Sequence, residues 1–328
     1  MSPLIWTLTD GSAGYAAQAN GLAECVIAQD KGEVRAQIVR APKWTNILPP
    51  SCAAALRLFD IHGKTDDKPD IVVCCGGKSQ AAALAMKKQH GAFAVCIQRP
   101  RGNAAMFDAV VAPRHDYSEK ELENIVQTPD GNVFNTLGSV GTINAEVLAS
   151  RRESARQKFS HIPSPKTAVL VGGENRAFAM TPEVCQGFAE EVSRADGGFL
   201  VSTSRRTGDE NKRTLARAFN GENCFFYDGE GEENPYMDIL ACADRLLVTA
   251  DSVNMISEAC AAQKPVYIAP LPQKSARAAK KFLQFHQEII ARELAREWQG
   301  EFETWSPPPF DETVRAAEFV RTRYVAQK

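Results

Sequence analysis

Short apolar runs, each ended by a glycine-rich or small polar turn and followed at once by a helical pattern, recur along the whole chain. Leu4–Leu8 leads through the turn 9–15 into a helix from about Ala16 to Ile27, Val34–Val39 is a second strand, and Cys52–Phe59 has helical spacing. Ile71–Cys75 passes through Gly76, Gly77, Lys78 and Ser79 into a helix over Gln80–Gln89; Phe93–Gln98 and Ala109–Ala112 are two further apolar runs. The pattern restarts at Thr167–Gly172, with strands at Phe199–Thr203, Cys224–Tyr227, Arg245–Thr249 and Val266–Ala269 and helices around 182–193, 211–219 and 237–243. Uninterrupted apolar strands alternating with helices predict parallel sheets covered on both faces. The expected fold class is therefore α/β, with two Rossmann-like, doubly wound domains. Residues 145–165, rich in Arg and Ser and ending in two prolines, mark the boundary. This gives a first domain over 1–150, a second over 165–305, and an amphipathic helix over 311–324 after Pro307-Pro308-Pro309. Strands of two such sheets would direct their carboxyl ends into a shared cleft.

Composition removes several functional classes. With 328 residues the chain can bury two cores, and a net charge of −2 offers no footprint for nucleic acid. No apolar run approaches the ~20 residues of a membrane span, and the N-terminus opens directly on a strand, so the expected location is the cytosol. The nine cysteines contain no C-x-x-C pair and fall mostly in apolar patterns, as expected of buried, reduced thiols. There is no D-x-D, H-x-H or H-E-x-x-H, and neither a metal nor a resident cofactor is expected. Lys280–Trp298 is a basic helical run with a narrow apolar stripe, more often core than membrane-bound, and peripheral contact with the inner face of a membrane stays open. Oligomeric state is not legible.

The stretch 245–265 is the most informative. A buried strand ends at Asp251, a helix begins, and Asp251, Ser252, Met255 and Glu258 fall on one of its faces. Amides at the helix start favour a phosphate, and Glu258, two turns in, could accept hydrogen bonds from ribose or sugar hydroxyls. The competing reading makes Asp251 or Ser252 a helix cap and Glu258 a solvated charge. Arg205 and Arg206 follow the strand 199–203 beside three hydroxyl residues and suit a diphosphate, because each guanidinium offers bidentate donors. Further turns with exposed amides lie at Gly172-Gly173-Glu174-Asn175, at Asp10-Gly11-Ser12-Ala13-Gly14 and at Gly77-Lys78-Ser79. None is a P-loop or a G-x-G-x-x-G fingerprint. Candidate general bases are Asp10, His115 and Asp116, each at the end of an apolar run.

The segments DGSAGYAAQANGLAE, VGGEN, LVSTSRRT, ENPYMDILACADRLLVTADSVNMISEACAAQKPVYI and FDETVRAAEFVRTR resemble the Elm-type family, named for a plant mitochondrial fission protein. ADRLLVTADSVNMISEA also resembles the nucleotide-sugar site of GT-B glycosyltransferases. The resemblance implies two facing domains, the second holding the nucleotide sugar, the first the acceptor, with the helix 311–328 returning to the first. It places Gly173 and Asn175 near the phosphates beside Ser204 and Arg205, the loop at Asn234 and Tyr236 on the base, Ser252 and Met255 on the diphosphate, and Glu258 on the ribose. Gly11, Gly14, Gly77, Lys78 and Ser79 would then line the acceptor side. Relatives commonly carry His where this chain has Tyr15, so Asp10 becomes the expected base. The implied activity is metal-independent transfer of a sugar from a nucleotide-diphosphate sugar to a hydroxyl of an envelope or polysaccharide acceptor. The alternatives are a non-catalytic adaptor on the same scaffold and a nucleoside-diphosphate-sugar epimerase.

Overall fold

The computed structural model describes residues 3–28, 31–62, 67–126, 131–231 and 233–328. It separates into two compact units, Met1–Thr142 with Glu312–Lys328, and Ile143–Asp311.

The first unit is built on β1 (Leu4–Thr9), α1 (Ala13–Ile27), β2 (Glu33–Arg40), α2 (Pro50–Ala55), β3 (Asp60–His62), β4 (Ile71–Cys75) and α3 (Ser79–His90). It continues through β5 (Phe93–Ile97), β6 (Ala109–Pro113), α4 (Glu119–Val126) and β7 (Val133–Thr136), and is completed by the last helix, α11 (Glu312–Ala326). The sheet order is β3-β2-β1-β4-β5-β6-β7. All pairs are parallel except β2 with β3. Every residue of β4, β5 and β6 is buried, which is why these strands read as unbroken apolar runs. The period of two divides them between two cores. Ile5, Ile71, Val73, Val95 and Val111 pack with Leu22 and Ala23 of α1 and Ala316 and Val320 of α11. Trp6, Leu8, Val72, Cys74 and Val110 pack with Ala82, Ala83 and Met86 of α3. Both faces are thus covered.

The second unit runs α5 (Ala145–Lys158), β8 (Lys166–Val171), α6 (Pro182–Val192), β9 (Gly198–Thr203), α7 (Asp209–Ala218), β10 (Cys224–Tyr227), α8 (Tyr236–Cys242), β11 (Arg245–Thr249), α9 (Val253–Ala261), β12 (Val266–Ala269), α10 (Ala276–Ala291) and β13 (Arg296–Glu297). Its six strands, ordered β10-β9-β8-β11-β12-β13, are all parallel. Strand order reverses between β8 and β11, the switch point where helices leave the sheet to opposite sides and open a crevice at the strand ends.

The structure corrects several boundaries. The polar stretch expected to mark the boundary is mostly α5 and belongs to the second unit, so the division falls before it, after Thr142. Asn144 caps it by accepting a hydrogen bond from the Val147 amide at 2.9 Å, and only Leu148 and Ala155, seven residues apart on one face, are buried. Arg151 and Lys158, each three residues beyond one of these and so flanking the same face, pair with Asp238 of α8 at 3.1 and 3.2 Å. Helix α1 begins at Ala13 rather than near Ala16, which brings Gly14 and Tyr15 into its first turn. Helix α10 ends at Ala291, and Trp298 lies beyond the short strand β13. Of the cysteines expected inside, Cys52 is exposed and Cys25 and Cys224 are half-buried. The acidic loop 228–236 is described apart from Glu232, which lies outside the described residues.

Candidate functional site

Three turns of the second unit meet at the carboxyl ends of the neighbouring strands β9, β8 and β11, and Asp251 ties them together. Its side chain is fully buried. Oδ2 accepts from the Gly173 amide at 3.0 Å and from Arg206 Nη2 at 2.9 Å, and Oδ1 accepts from Thr249 Oγ1 at 2.7 Å. Thr249 Oγ1 in turn accepts from the Gly172 amide at 2.8 Å. A buried carboxylate is stable only with its lone pairs met, and here they are met by a guanidinium, a hydroxyl and a peptide NH.

The glycines serve this closure. A Cβ on Gly172 would lie 2.2 Å from an Asp251 carboxylate oxygen, and one on Gly173 would lie 2.1 Å from the Arg206 carbonyl oxygen. The close approach at this turn is therefore between protein segments. Ser204 Oγ donates to the Gly172 carbonyl at 2.9 Å and accepts from the Arg206 amide at 3.1 Å. Thr207 Oγ1 also donates to the Gly172 carbonyl and accepts from the Ser204 amide, at 3.0 Å in the second case. Asn175 donates to the Asp251 carbonyl at 3.2 Å and accepts from the Ala177 and Phe178 amides at 2.7 and 2.9 Å.

Thus Gly173, Asn175, Ser204, Arg206, Asp251 and Ser252 are brought together, but their polar groups chiefly hold one another. Asp251 is withdrawn from the ligand-facing role expected for it and acts as the central clasp. Ser252 is the N-cap of α9, its Oγ accepting from the Met255 amide at 3.3 Å, so the capping alternative is the one realised in this state. Arg205 differs from the rest: it is exposed, and among the described residues it has no ion-pair partner. It stands at the rim of the turns as an available cation, and the first turn of α9 carries no acidic residue. Thr207 and Thr249 were not anticipated from sequence. The spacing Ser204-x-x-Thr207, typical of hydroxyl-closed turns, was the available signal.

Glu258 accepts a hydrogen bond from the Tyr236 hydroxyl at 2.8 Å, so the groups expected to meet ribose and base are neighbours. Asn234 Oδ1 accepts from the Tyr236 amide at 3.0 Å and closes the turn before α8. Burial pushes the Glu258 carboxyl up to about 7, against the lowering effect of the Tyr236 bond. Burial, with Glu258 beside it, raises the Tyr236 phenol well above its ordinary value. Since the folded value of Glu258 lies above its unfolded one, the native state holds the extra proton between about pH 4.5 and about 7. Stability of the second unit should fall as pH rises through that window and level off above it. Glu258→Gln should flatten this dependence in urea melts taken across the range; an unchanged slope would show that another group governs it.

In the first unit, the Asp10 turn and the Gly76–Ser79 turn lie at the ends of the adjacent strands β1 and β4. Asp10 Oδ1 accepts from the Ser12 amide and hydroxyl at 3.1 and 2.7 Å, and Lys78 Nζ lies 3.6 Å from Oδ2. Partial burial opposes ionisation, but the Ser12 bonds and the Lys78 charge together hold the Asp10 carboxyl below its ordinary value. Asp10 is accordingly a weaker base than a free aspartate. Gly11 has φ +84° and Gly14 lies exposed in α1. Ser79 is buried and donates to the Gly76 and Cys75 carbonyls, so it closes its own turn rather than facing an acceptor. Gly77 leaves room for Arg101, whose Cδ would lie 3.0 Å from a Cβ there. Gly76, at φ +91°, lies under the Tyr15 ring, which a Cβ would meet at 2.7 Å. Burial, then the charges of Cys75, Asp10 and Asp116, raise the Tyr15 phenol. His115 is buried in the short 3-10 turn after β6, and Asp116 is half-buried beside it. Among the described residues no three His, Cys, Asp or Glu gather as a metal site, and no helix is long and apolar enough to cross a membrane. A groove of about 750 Å³ beside α11, lined by Pro3, Val26, Ile71 and Val325, lies at the amino ends of β1 and β4, away from these turns.

Two parallel α/β units with their polar turns at the strand ends define a fold of the GT-B type, shared by glycosyltransferases and sugar-nucleotide epimerases. Two solved structures carry the likeness. A Neisseria meningitidis UDP-GlcNAc 2-epimerase bound to UDP-GlcNAc is 14% identical, with 98% of this chain and 94% of that one covered and a TM-score of 0.52. Medicago truncatula UGT71G1 complexed with UDP-glucose is 9% identical, covering 99% and 93%, with a TM-score of 0.51. Within that fold, the chain belongs to the mitochondrial fission ELM1 family, whose model matches residues 13–324. The Arabidopsis thaliana mitochondrial fission protein ELM1 is 29% identical over 283 residues, 80% of this chain. The match spans 65% of the plant protein, less than two thirds of its length.

Proposed function

We propose that the second unit binds a nucleotide-diphosphate sugar and that the chain is a metal-independent glycosyltransferase. The observation that carries the reading is the exposed Arg205 on a rigid platform of three strand-end turns, with the Glu258–Tyr236 pair on the neighbouring elements. A diphosphate held there would meet Arg205 and the amides opening α9, with Met255 beside it; Glu258 would accept from ribose hydroxyls and Tyr236 would pack against the base. Preformed donors of this kind stabilise charge as it develops on a leaving diphosphate. In the transfer step, an acceptor hydroxyl oxygen bonds to the anomeric carbon and the bond from that carbon to the phosphate oxygen breaks. The electron pair leaves with the diphosphate, and the hydroxyl proton passes to a base. Asp10 and Asp116 are the candidate carboxylates for that base, with His115, buried in the turn after β6, the weaker candidate. The acceptor would be an envelope or polysaccharide hydroxyl approaching along the Gly11, Gly14, Gly77 and Lys78 turns. The site of action under this reading is the cytoplasm, at the inner face of a membrane.

A second reading, a non-catalytic adaptor on the transferase scaffold, is favoured by a specific observation. Ser79, Asn175, Ser204, Asp251 and Ser252 are occupied by internal bonds, and Asp10 is held as a weak base. An epimerase reading rests on the fold likeness alone. Incubating the protein with a panel of UDP-, GDP-, CDP- and ADP-sugars, alone and with envelope lipid or polysaccharide extract, separates the three. Acceptor-dependent release of the nucleoside diphosphate supports transfer, its release or an epimer without acceptor supports the epimerase, and no turnover with any of these sugar nucleotides overturns both in favour of the adaptor.

A further inference from the structure

Among the described residues, four other than glycine take a left-handed backbone: Arg57, Gln98, Gln263 and Glu293. Arg57, Gln263 and Glu293 each stand one position past the cap that ends α2, α9 or α10, where that conformation is the ordinary way for a helix to stop. Gln98, at φ +72°, has no such reason, because it follows the last residue of a strand, β5. A glycine would adopt this backbone without the crowding that an L side chain brings. Gly76 does so one strand away: Cys75 and Ile97 are register partners, so Gly76 and Gln98 are the next residues beyond β4 and β5, and Gly76 has φ +91°. Two neighbouring strand ends thus turn in the same left-handed way, one with a glycine and the other with a glutamine.

The surroundings enforce the strain. The Gln98 amide NH donates to the Val111 carbonyl of β6 at 2.8 Å, and the Cys96 thiol donates to the Gln98 carbonyl at 3.7 Å. The segment that follows is pinned on both sides. Arg99 donates to the Asp116 carbonyl at 3.0 Å and to Glu121 at 2.6 Å, and lies over the Tyr117 ring. Arg101 donates from its backbone NH to Gln80 at 3.0 Å and from Nη2 to the Leu48 carbonyl at 2.9 Å. None of these bonds uses the Gln98 side chain. That side chain is half-buried, and among the described residues its carboxamide has no hydrogen-bond partner. Strain kept for a side chain that bonds to nothing in the fold marks a group held for a ligand.

The position lies on the acceptor side of the first unit. Asp10, Gly76, Gln98 and Ala112 follow one another across β1, β4, β5 and β6 at one level of register. Adjacent strands are about 4.8 Å apart, so Gln98 stands about 10 Å from Asp10, with room for a sugar ring between the two side chains. A carboxamide both donates and accepts, as the hydroxyls of a sugar do, whereas ionised Asp10 and Asp116 only accept. We infer that the Gln98 carboxamide binds a hydroxyl of the acceptor other than the one that reacts, and so selects a polyhydroxylated acceptor, such as a sugar, over a lone alcohol. The assignment rests on the transferase reading.

The test is initial-rate kinetics of nucleoside diphosphate release, with a sugar nucleotide that the wild type turns over and polysaccharide extract as acceptor, together with calorimetry of each variant. Gln98→Gly relieves the strain, so the melting temperature of the first unit should stay the same or rise by up to roughly 4 °C. The half-saturating extract concentration should rise roughly tenfold. Gln98→Glu keeps the length and the strained backbone but loses the NH2 donor; it should melt as the wild type does and lose acceptor affinity as the glycine variant does. Half-saturation by the sugar nucleotide should stay within about twofold of the wild type in both. Unaltered acceptor half-saturation in Gln98→Gly would overturn the inference, and so would equal losses for donor and acceptor. A melting temperature lowered by several degrees in that variant would also overturn it, since the side chain would then be a support of the fold. A wild type that turns over no sugar nucleotide would overturn the transferase reading itself, and the acceptor contact with it.

Discussion

Gly173→Ala is expected to lower the melting temperature of the second unit by roughly 6–12 °C, the largest stability effect of any small substitution near the site. The added methyl carbon would lie 2.1 Å from the Arg206 carbonyl oxygen and 2.2 Å from its carbon. These are backbone atoms and cannot rotate aside. The turn after β9 would have to shift, pulling Arg206 from Asp251 and leaving a buried carboxylate short of its counter-charge, a combined cost of about 3 kcal/mol or more. Calorimetry of the full chain resolves the effect, because the first unit has its own cores and should melt as in the wild type. An unchanged transition would contradict the packing described for the three turns.

The second large effect concerns binding. Arg205→Ala should weaken affinity for a nucleoside diphosphate by roughly tenfold to a hundredfold, the loss expected for one or two hydrogen bonds to a charged group of about 1.5–3 kcal/mol. Its melting temperature should not change, since Arg205 is exposed and pairs with nothing in the described structure. Arg206→Ala should do the opposite. Its guanidinium donates to the buried Asp251 at 2.9 Å, so removal should destabilise the unit before it affects any ligand. The two adjacent arginines are thus separable by readout: affinity for one, stability for the other. If both variants lost only stability, the cation at position 205 would have no part in binding.

The parallel sheets were legible because β4, β5, β6 and β11 are buried on both faces and therefore apolar at nearly every position. Helix α5 was obscured for the converse reason. It buries only Leu148 and Ala155 and turns its charged residues outward, so little apolar periodicity survives in its sequence. The three-residue β3 and two-residue β13 are too short to carry a periodic signal. At the site, the residues were visible but not their partners. Asp251 and Arg206 lie forty-five positions apart, and only the register of β8, β9 and β11 brings them together. That pairing decides which of two neighbouring arginines is free, a distinction no local pattern contains. The glycines at 172 and 173 suggest exposed amides, but those amides go to Thr249 and Asp251, and the space beside the two glycines is taken by Asp251 and Arg206. The place of Tyr15 over Gly76 depends on where α1 begins, which its sequence does not mark.

Calorimetric titration of the wild type with UDP, GDP, CDP and ADP in the presence of EDTA, repeated on Arg205→Ala, reaches the central claim most directly. Saturable binding of at least one diphosphate without divalent cation, weakened about tenfold or more in the variant at unchanged melting temperature, is the predicted result. Absence of binding by all four, or binding that appears only when magnesium is restored and is indifferent to Arg205, would contradict it.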